Sequence, residues 1–276
     1  MNSVMKSDVS YTPAELLKSY IEWGADETIS EEPINWFSKT DNIQIKQNSA
    51  AKTSSNTSSK SKPVSQTPLA SQQEHIDMAK KLAANCKNLD ELSAAILEFE
   101  GCSLKKTASN TVFSDGNVKS DIMIIGEAPG GDEDRGGKPF VGEAGQLLDR
   151  MFAAIDMKRE NDFYIANLLP WRPPGNRKPT DGECELCFPF IKRHIELFEP
   201  KLIISVGGTS ASTLLNTKSG ITKLRGKWQE YIMSGTTVPI IPIFHPDYLL
   251  RQPQFKKQTW HDLLAIKAKI GELNID

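Results

Sequence analysis

"IMIIGEAPGGDEDRGGKPFVGEAGQLLD", residues 122–149, reads as a strand, a glycine-rich turn and a helix in succession. Ile122 to Ile125 form an apolar run without alternation, the pattern of a strand covered on both faces of a parallel sheet. Gly126, Gly130 and Gly131 interrupt it, and a helical period takes over from residue 143. The turn opens like a phosphate cradle, which would use backbone N–H groups and a lysine. Instead it carries Glu127, Asp132, Glu133 and Asp134. Its ligand must tolerate carboxylates.

The same alternation continues outward. "DFYIANLL", "KLIISVGG" and "TTVPIIPIFH" repeat the buried-strand pattern, with helical periods at 143–157, 181–198, 208–216 and 258–273. Strands alternating with helices predict an α/β fold, a three-layer α/β/α sandwich around a central, mostly parallel four-stranded sheet. Such sheets bind ligands beyond the carboxyl ends of their strands. Gly126 and Glu127, Asn167, Gly207 and Gly208, and His245 with Pro246 stand at those ends. They mark one rim, where a pocket is expected.

The 276 residues divide into three zones. Residues 1–40 hold "TPAELLKSYIEW", where Thr12, Pro13 and Glu15 form a helix start and Leu16, Leu17, Tyr20 and Ile21 share a face. Within 11–36 this amphipathic piece is a candidate docking site for a partner, or packs back on its own domain. Residues 41–73 are rich in Ser, Lys, Thr and Gln and read as a disordered linker. Residues 74–276 form the main domain, opening with helical stretches "HIDMAKKLAANC" and "LDELSAAILEF". The formal net charge of −2 excludes a globally basic coat protein but leaves room for a local basic face. No secretory signal or membrane-length apolar run is visible, so a cytoplasmic, monomeric protein is expected, its four cysteines reduced or metal-bound.

Several enzyme classes are excluded by missing motifs. The chain has no G-x-x-x-x-G-K-[ST] element, no G-x-G-x-x-G at the first strand–helix turn and no G-x-S-x-G elbow. His75, His194, His245 and His261 lack the spacing of a catalytic zinc site. Four segments remain, in this order: "GEAPG" at 126–130, "PFVGEAGQLLD" at 139–149, "NLLPWRPPGNR" at 167–177 and "HPDYLLR" at 245–251. Together they resemble the family 4 uracil-DNA glycosylases over roughly residues 90–270.

The resemblance implies hydrolysis of the bond between uracil and deoxyribose in single- or double-stranded DNA, after the base leaves the stack. It implies that Phe140 stacks on the base and that Asn167 pairs with uracil O4 and N3–H, an edge that cytosine reverses. His245 would donate to O2 and stabilise the departing anion. Glu127 would orient water or counter the positive charge on the sugar, and Glu133 would line the pocket edge beside Gly126 and Ala128. In the best-known branch of the superfamily an Asp activates the water; Ala128 stands there in this chain, and Asn176 is the candidate to position water instead. Asp132 and Asp134 read as solvated loop charges. For DNA, the resemblance implies Tyr248 and Leu249 as a wedge and Arg251 on a phosphate, with Arg172, Arg177 and Arg225 of "KLRGK" as further phosphate contacts.

Many members hold a [4Fe–4S] cluster through four cysteines. Cys102 and Cys187 match two of those positions, while Phe99 and Trp171 stand at the other two. No cofactor is therefore expected, although Cys86 and Cys184 leave a rearranged four-thiol site open. Two other readings also stay open: a glycosylase for deaminated or mismatched bases, and a non-catalytic DNA-binding or polymerase-associated module.

Overall fold

The computed structural model describes residues 69–275. The amphipathic piece within 11–36, and the linker up to residue 68, lie outside them. The last part of that linker is not one: helix α1 spans Leu69–Asn85, ahead of the start expected near residue 74. Helix α2 (Leu89–Glu98) begins at Asn88, whose side chain accepts the N–H of Glu91 and so satisfies one orphan donor of the first turn. The chain continues through β1 (Ser114–Gly116), β2 (Ile122–Gly126), α3 (Gly131–Gly136), α4 (Glu143–Ala153), α5 (Arg159–Asp162) and β3 (Tyr164–Asn167). Then come α6 (Asp181–Phe198), β4 (Leu202–Val206), α7 (Gly208–Leu214), α8 (Ile221–Leu224), β5 (Gln229–Met233), β6 (Thr236–Ile243), α9 (Pro246–Arg251) and α10 (Lys256–Leu273).

The strands form one sheet in the order β1-β3-β2-β4-β6-β5. Its inner four strands are parallel and are the four expected from the apolar runs. Two short antiparallel edge strands enlarge the expected four-stranded sheet to six. Neither carries an apolar run: β1 is Ser-Asp-Gly, and β5 alternates with only Tyr231 buried.

Both faces of the sheet are covered, which makes three layers. Met123 and Ile125 of β2 face one core with Ile203 and Ile240, packed by Leu92 of α2 and Phe190 and Ile191 of α6. Ile122 and Ile124 point the opposite way, as alternate strand residues must, and join Ile204, Ile241, Leu148 of α4 and Leu263 of α10. Among the described residues no helix is long and apolar enough to cross a membrane.

The register places the rim. Gly126 pairs with Asn167 at the ends of β2 and β3, and Val206 pairs with Ile243 at the ends of β4 and β6. His245 follows two residues after β6, with Pro246 opening α9. The loops carrying the candidate residues thus leave one edge of the sheet side by side.

Candidate active site

A cavity of about 480 Å³ opens at this rim, within the range typical of small-molecule sites. It is lined by Glu127, Ala128, Glu133, Phe140, Asn167, Asn176, Arg177, His245, Tyr248 and Arg251, all anticipated from sequence. Asp247 and Lys178 line it as well and were not anticipated. Gly126 lies directly behind the wall: a Cβ there would come within 2.6 Å of the Phe140 ring and nearer still to Asn167 Oδ1. Only glycine lets those two side chains converge.

Asn167 forms the floor. It is 7% exposed, and its Oδ1 is buried without a hydrogen-bond partner. Leaving a buried acceptor unpaired costs roughly 1–3 kcal/mol. The amide is therefore poised for a ligand N–H, with its own NH2 available to a neighbouring carbonyl. An imide edge, N–H beside C=O, satisfies both.

His245 faces this floor from the end of β6. Its Nδ1 accepts the backbone N–H of Asp247 at 3.2 Å, so in the neutral ring the proton sits on Nε2. Burial pushes its pKa below the ordinary imidazole value. Gly207, with φ of +91°, packs so closely that a Cβ would come within 3.3 Å of the ring. The Phe140 ring lies 5.7 Å from the imidazole, tilted by 31°. The result is a neutral N–H donor fixed in rotation beside an aromatic wall.

At the cavity mouth Arg172 Nε donates to Asn176 Oδ1 at 2.6 Å, leaving the Asn176 NH2 as its free end. Arg172 itself does not line the cavity. Arg177 makes two bonds to Glu183, at 2.9 and 2.6 Å, and this pairing is the largest cause that holds the Glu183 carboxyl down at about 2. The same Glu183 caps α6 by accepting the N–H of Thr180. Arg251 is exposed and pairs with Asp247 one helical turn earlier.

Three expectations are corrected. Leu249 is 1% exposed and packs in the core against the second face of the sheet, so it cannot be a wedge in this conformation. Of the two, only Tyr248 lines the cavity, beside Asp247 and Arg251 of the same helix. Arg225 is turned away from the cavity, ion-paired to buried Asp262 and donating to the Gln258 carbonyl at 2.6 Å. Asp134 is no solvated charge: it is 3% exposed and accepts the N–H groups of Ser109 and Asn110 at 2.8 and 3.2 Å. Asp132 does pair at the surface, with Arg135.

Comparison with known proteins gives the family. Residues 113–264, more than half of the chain, match the model of the uracil DNA glycosylase superfamily. A type-4 uracil-DNA glycosylase of Archaeoglobus fulgidus is 40% identical over 68% of this chain and 94% of its own length. That of Saccharolobus solfataricus is 39% identical over 67% of this chain and 87% of its length. In Thermotoga maritima the corresponding enzyme is 38% identical over 59% and 83%. This chain belongs to the uracil-DNA glycosylase superfamily.

The iron–sulfur cluster implied by the family 4 resemblance does not fit the residues present. Phe99 and Trp171 are 1% and 0% exposed and stack with ring centroids 6.5 Å apart, Phe99 also meeting Phe190 edge-on at 5.1 Å. Cys102 and Cys187 lie in the same apolar cluster, and a hydrogen bond between the two thiols, with burial, raises the Cys187 pKa well above the ordinary thiol value. A [4Fe–4S] centre needs four thiolates. Among the described residues no three His, Cys, Asp or Glu side chains group so as to hold a metal ion, which leaves the rearranged four-thiol arrangement without a geometry.

Proposed function

We propose that this chain hydrolyses the N-glycosidic bond of deoxyuridine in DNA, releasing uracil and leaving an abasic site. The observation that carries the reading is the buried, unpaired Oδ1 of Asn167 in the cavity that the neutral His245 ring also lines. A uracil stacked on Phe140 would give its N3–H to Asn167 Oδ1 and take the Asn167 NH2 at O4. Cytosine presents an acceptor and a donor in the reverse order, leaving the buried amide unsatisfied, the strong form of discrimination.

As the glycosidic bond lengthens, its electron pair moves to uracil N1 and spreads to O2, where the His245 Nε2–H donates. Positive charge grows on the sugar, and the Glu127 carboxylate in the cavity opposes it. Water adds to C1′, steered by Glu127 and by the NH2 of Asn176, and its proton leaves to solvent or carboxylate. No step calls for a metal, and we propose that the protein works without an iron–sulfur cluster. Arg177, Lys178, Tyr248 and Arg251 at the mouth suit the phosphates and sugars flanking an extruded nucleotide. We further propose a monomeric, cytoplasmic repair enzyme, with residues 11–36 available to a repair or replication partner.

The test uses single- and double-stranded oligonucleotides bearing one uracil, incubated with protein and then cleaved with alkali. Cleavage at uracil, retained in EDTA, is expected. Cleavage at deaminated purines or mismatches instead would install the broader-base reading, and binding without cleavage would make the chain a DNA-binding module.

A further inference from the structure

Phe140 occupies a strained backbone position, with φ of +54°. A left-handed conformation is disfavoured for a side chain of this size, so the surrounding structure must hold it there. One guanidinium does so from below. Arg159, with its side chain 10% exposed, donates from its two terminal nitrogens to the carbonyls of Pro139 at 2.9 Å and Phe140 at 2.7 Å. Its Nε donates to Asp149 at 2.9 Å, and one terminal nitrogen also reaches Asp115 at 3.2 Å. From the other side, Glu133 Oε1 accepts the N–H groups of Val141 and Gly142 at 3.0 and 2.9 Å. Its second oxygen takes the N–H of Gly130. Four consecutive residues, Pro139 to Gly142, are thus fixed by one buried cation and one carboxylate.

We propose that Arg159 is a positioning residue for the reaction: its planar fork sets the turn that aims Phe140 at the bound base. This rests on the reading that Phe140 stacks on uracil. The geometry demands arginine, because two carbonyls and a carboxylate must be met in one plane. A lysine ammonium is a point charge without that fork. Asp115 and Asp149 supply the counter-charge that lets the guanidinium stay buried, and neither reaches the cavity. Arg159 acts on the chemistry only through Phe140.

The experiment is a double-mutant cycle on the full chain: Phe140→Ala, Arg159→Lys and the two combined, compared by single-turnover excision over a range of enzyme concentration. Phe140→Ala should lower excision efficiency roughly 5- to 150-fold, the span that base–aromatic stacking carries. Arg159→Lys should lose most of that factor, and the combined variant should be no worse than Phe140→Ala. Losses that multiply in the combined variant would show a merely structural role and overturn the inference, as would wild-type excision by Arg159→Lys beside an impaired Phe140→Ala. Wild-type excision by Phe140→Ala would remove the stacking reading itself, and the inference with it. Should Arg159→Lys not fold, Asp149→Asn, which removes the charge opposite Nε and leaves only an amide oxygen to accept it, enters the same cycle with a smaller loss expected and the same non-additivity as criterion.

Discussion

Gly126→Ala isolates the convergence on which the site depends. The added methyl would stand within 2.6 Å of the Phe140 ring and nearer still to Asn167 Oδ1, where ordinary contact begins near 3.4 Å. Each group would have to retreat by something approaching 1 Å. Neither can do so freely: the Phe140 turn is held by Arg159 and Glu133, and Asn167 is buried at the end of an inner strand. Displacement on that scale typically costs about 10²-fold in rate, because the reacting geometry is lost while binding surface remains. Overpacking would also lower stability by roughly 1–3 kcal/mol, a shift of about 2–12 °C in a domain of this size. Single-turnover excision at saturating enzyme, with thermal unfolding measured alongside, separates the two effects. A folded Gly126→Ala variant within twofold of wild type would refute the claim that this glycine is required by the meeting of Asn167 and Phe140.

Asn167→Asp should weaken uracil excision, since a carboxylate cannot donate to O4, and its free acceptor should permit faint cytosine excision; unchanged uracil kinetics would take Asn167 out of the pocket. His245→Ala should slow the chemical step by about 10²–10³ while leaving DNA affinity nearly intact, read from rate and half-saturation separately. Burial lowers the His245 pKa, so its neutral working form should persist as pH falls through 6.5; an acid limb assigned to His245 at or above 6.5 contradicts this. His194 is fully buried, bonded to the Tyr164 hydroxyl at 3.0 Å, and its pKa is pushed down to about 3 from 6.5. Below pH 6.5 the unfolded chain therefore binds the extra proton, and stability falls with pH until about 3, by a total on the order of 5 kcal/mol. His194→Gln keeps an acceptor for Tyr164 and should flatten that acid limb; equal acid sensitivity in chemical denaturation would count against it. Protein purified without oxygen should be colourless and retain full excision, and a brown sample with stoichiometric iron and sulfide would overturn the cluster-free proposal.

The parallel core was legible because each inner strand is buried on both faces and so spells an apolar run. Edge strands are half solvated, and β1 has three polar or small residues, so no periodicity betrays it. The rim was legible for the same reason as the strands: chemistry-bearing residues stand just past each apolar run. Facing direction was not. Tyr248 and Leu249 are neighbours on a helix, about 100° apart around its axis, and cannot share one face; the motif supplies both names but only the fold assigns Tyr248 to the cavity. Arg225 and Asp134 were misplaced because their partners are distant in sequence, Asp262 for the first and the Ser109–Asn110 backbone for the second. Arg159 escaped notice altogether, lying in "MKREND", outside every motif, and contributing through backbone carbonyls that no pattern of side chains records.

The positions where the family resemblance places cluster ligands show why their loss need not dismantle the site. Three segments meet there: the end of α2 through Phe99, the loop "NLLPWRPPGNR" through Trp171, and α6 through Cys187. That loop runs from Asn167 on the cavity floor to Asn176 and Arg177 at its mouth, so whatever anchors it also sets the spacing between floor and mouth. A cluster would anchor it by covalent bonds to iron. Here the Trp171 ring is wholly buried, stacked on Phe99, and its indole N–H donates to Thr111 at 3.0 Å. A side chain of that size buries on the order of 150–250 Å² and loses several kcal/mol of packing if truncated. Two such rings therefore replace a cross-link with close packing, and the paired thiols of Cys102 and Cys187 fill the remaining space as small apolar groups. On this argument the aromatic pair is part of the scaffold that holds Asn176, and Trp171→Ala should loosen the mouth of the cavity before it touches the floor: excision should fall through Asn176, while pairing at Asn167, read as preference for uracil over cytosine, should stay. Loss of base preference in a folded Trp171→Ala protein would show that the ring supports the floor as well.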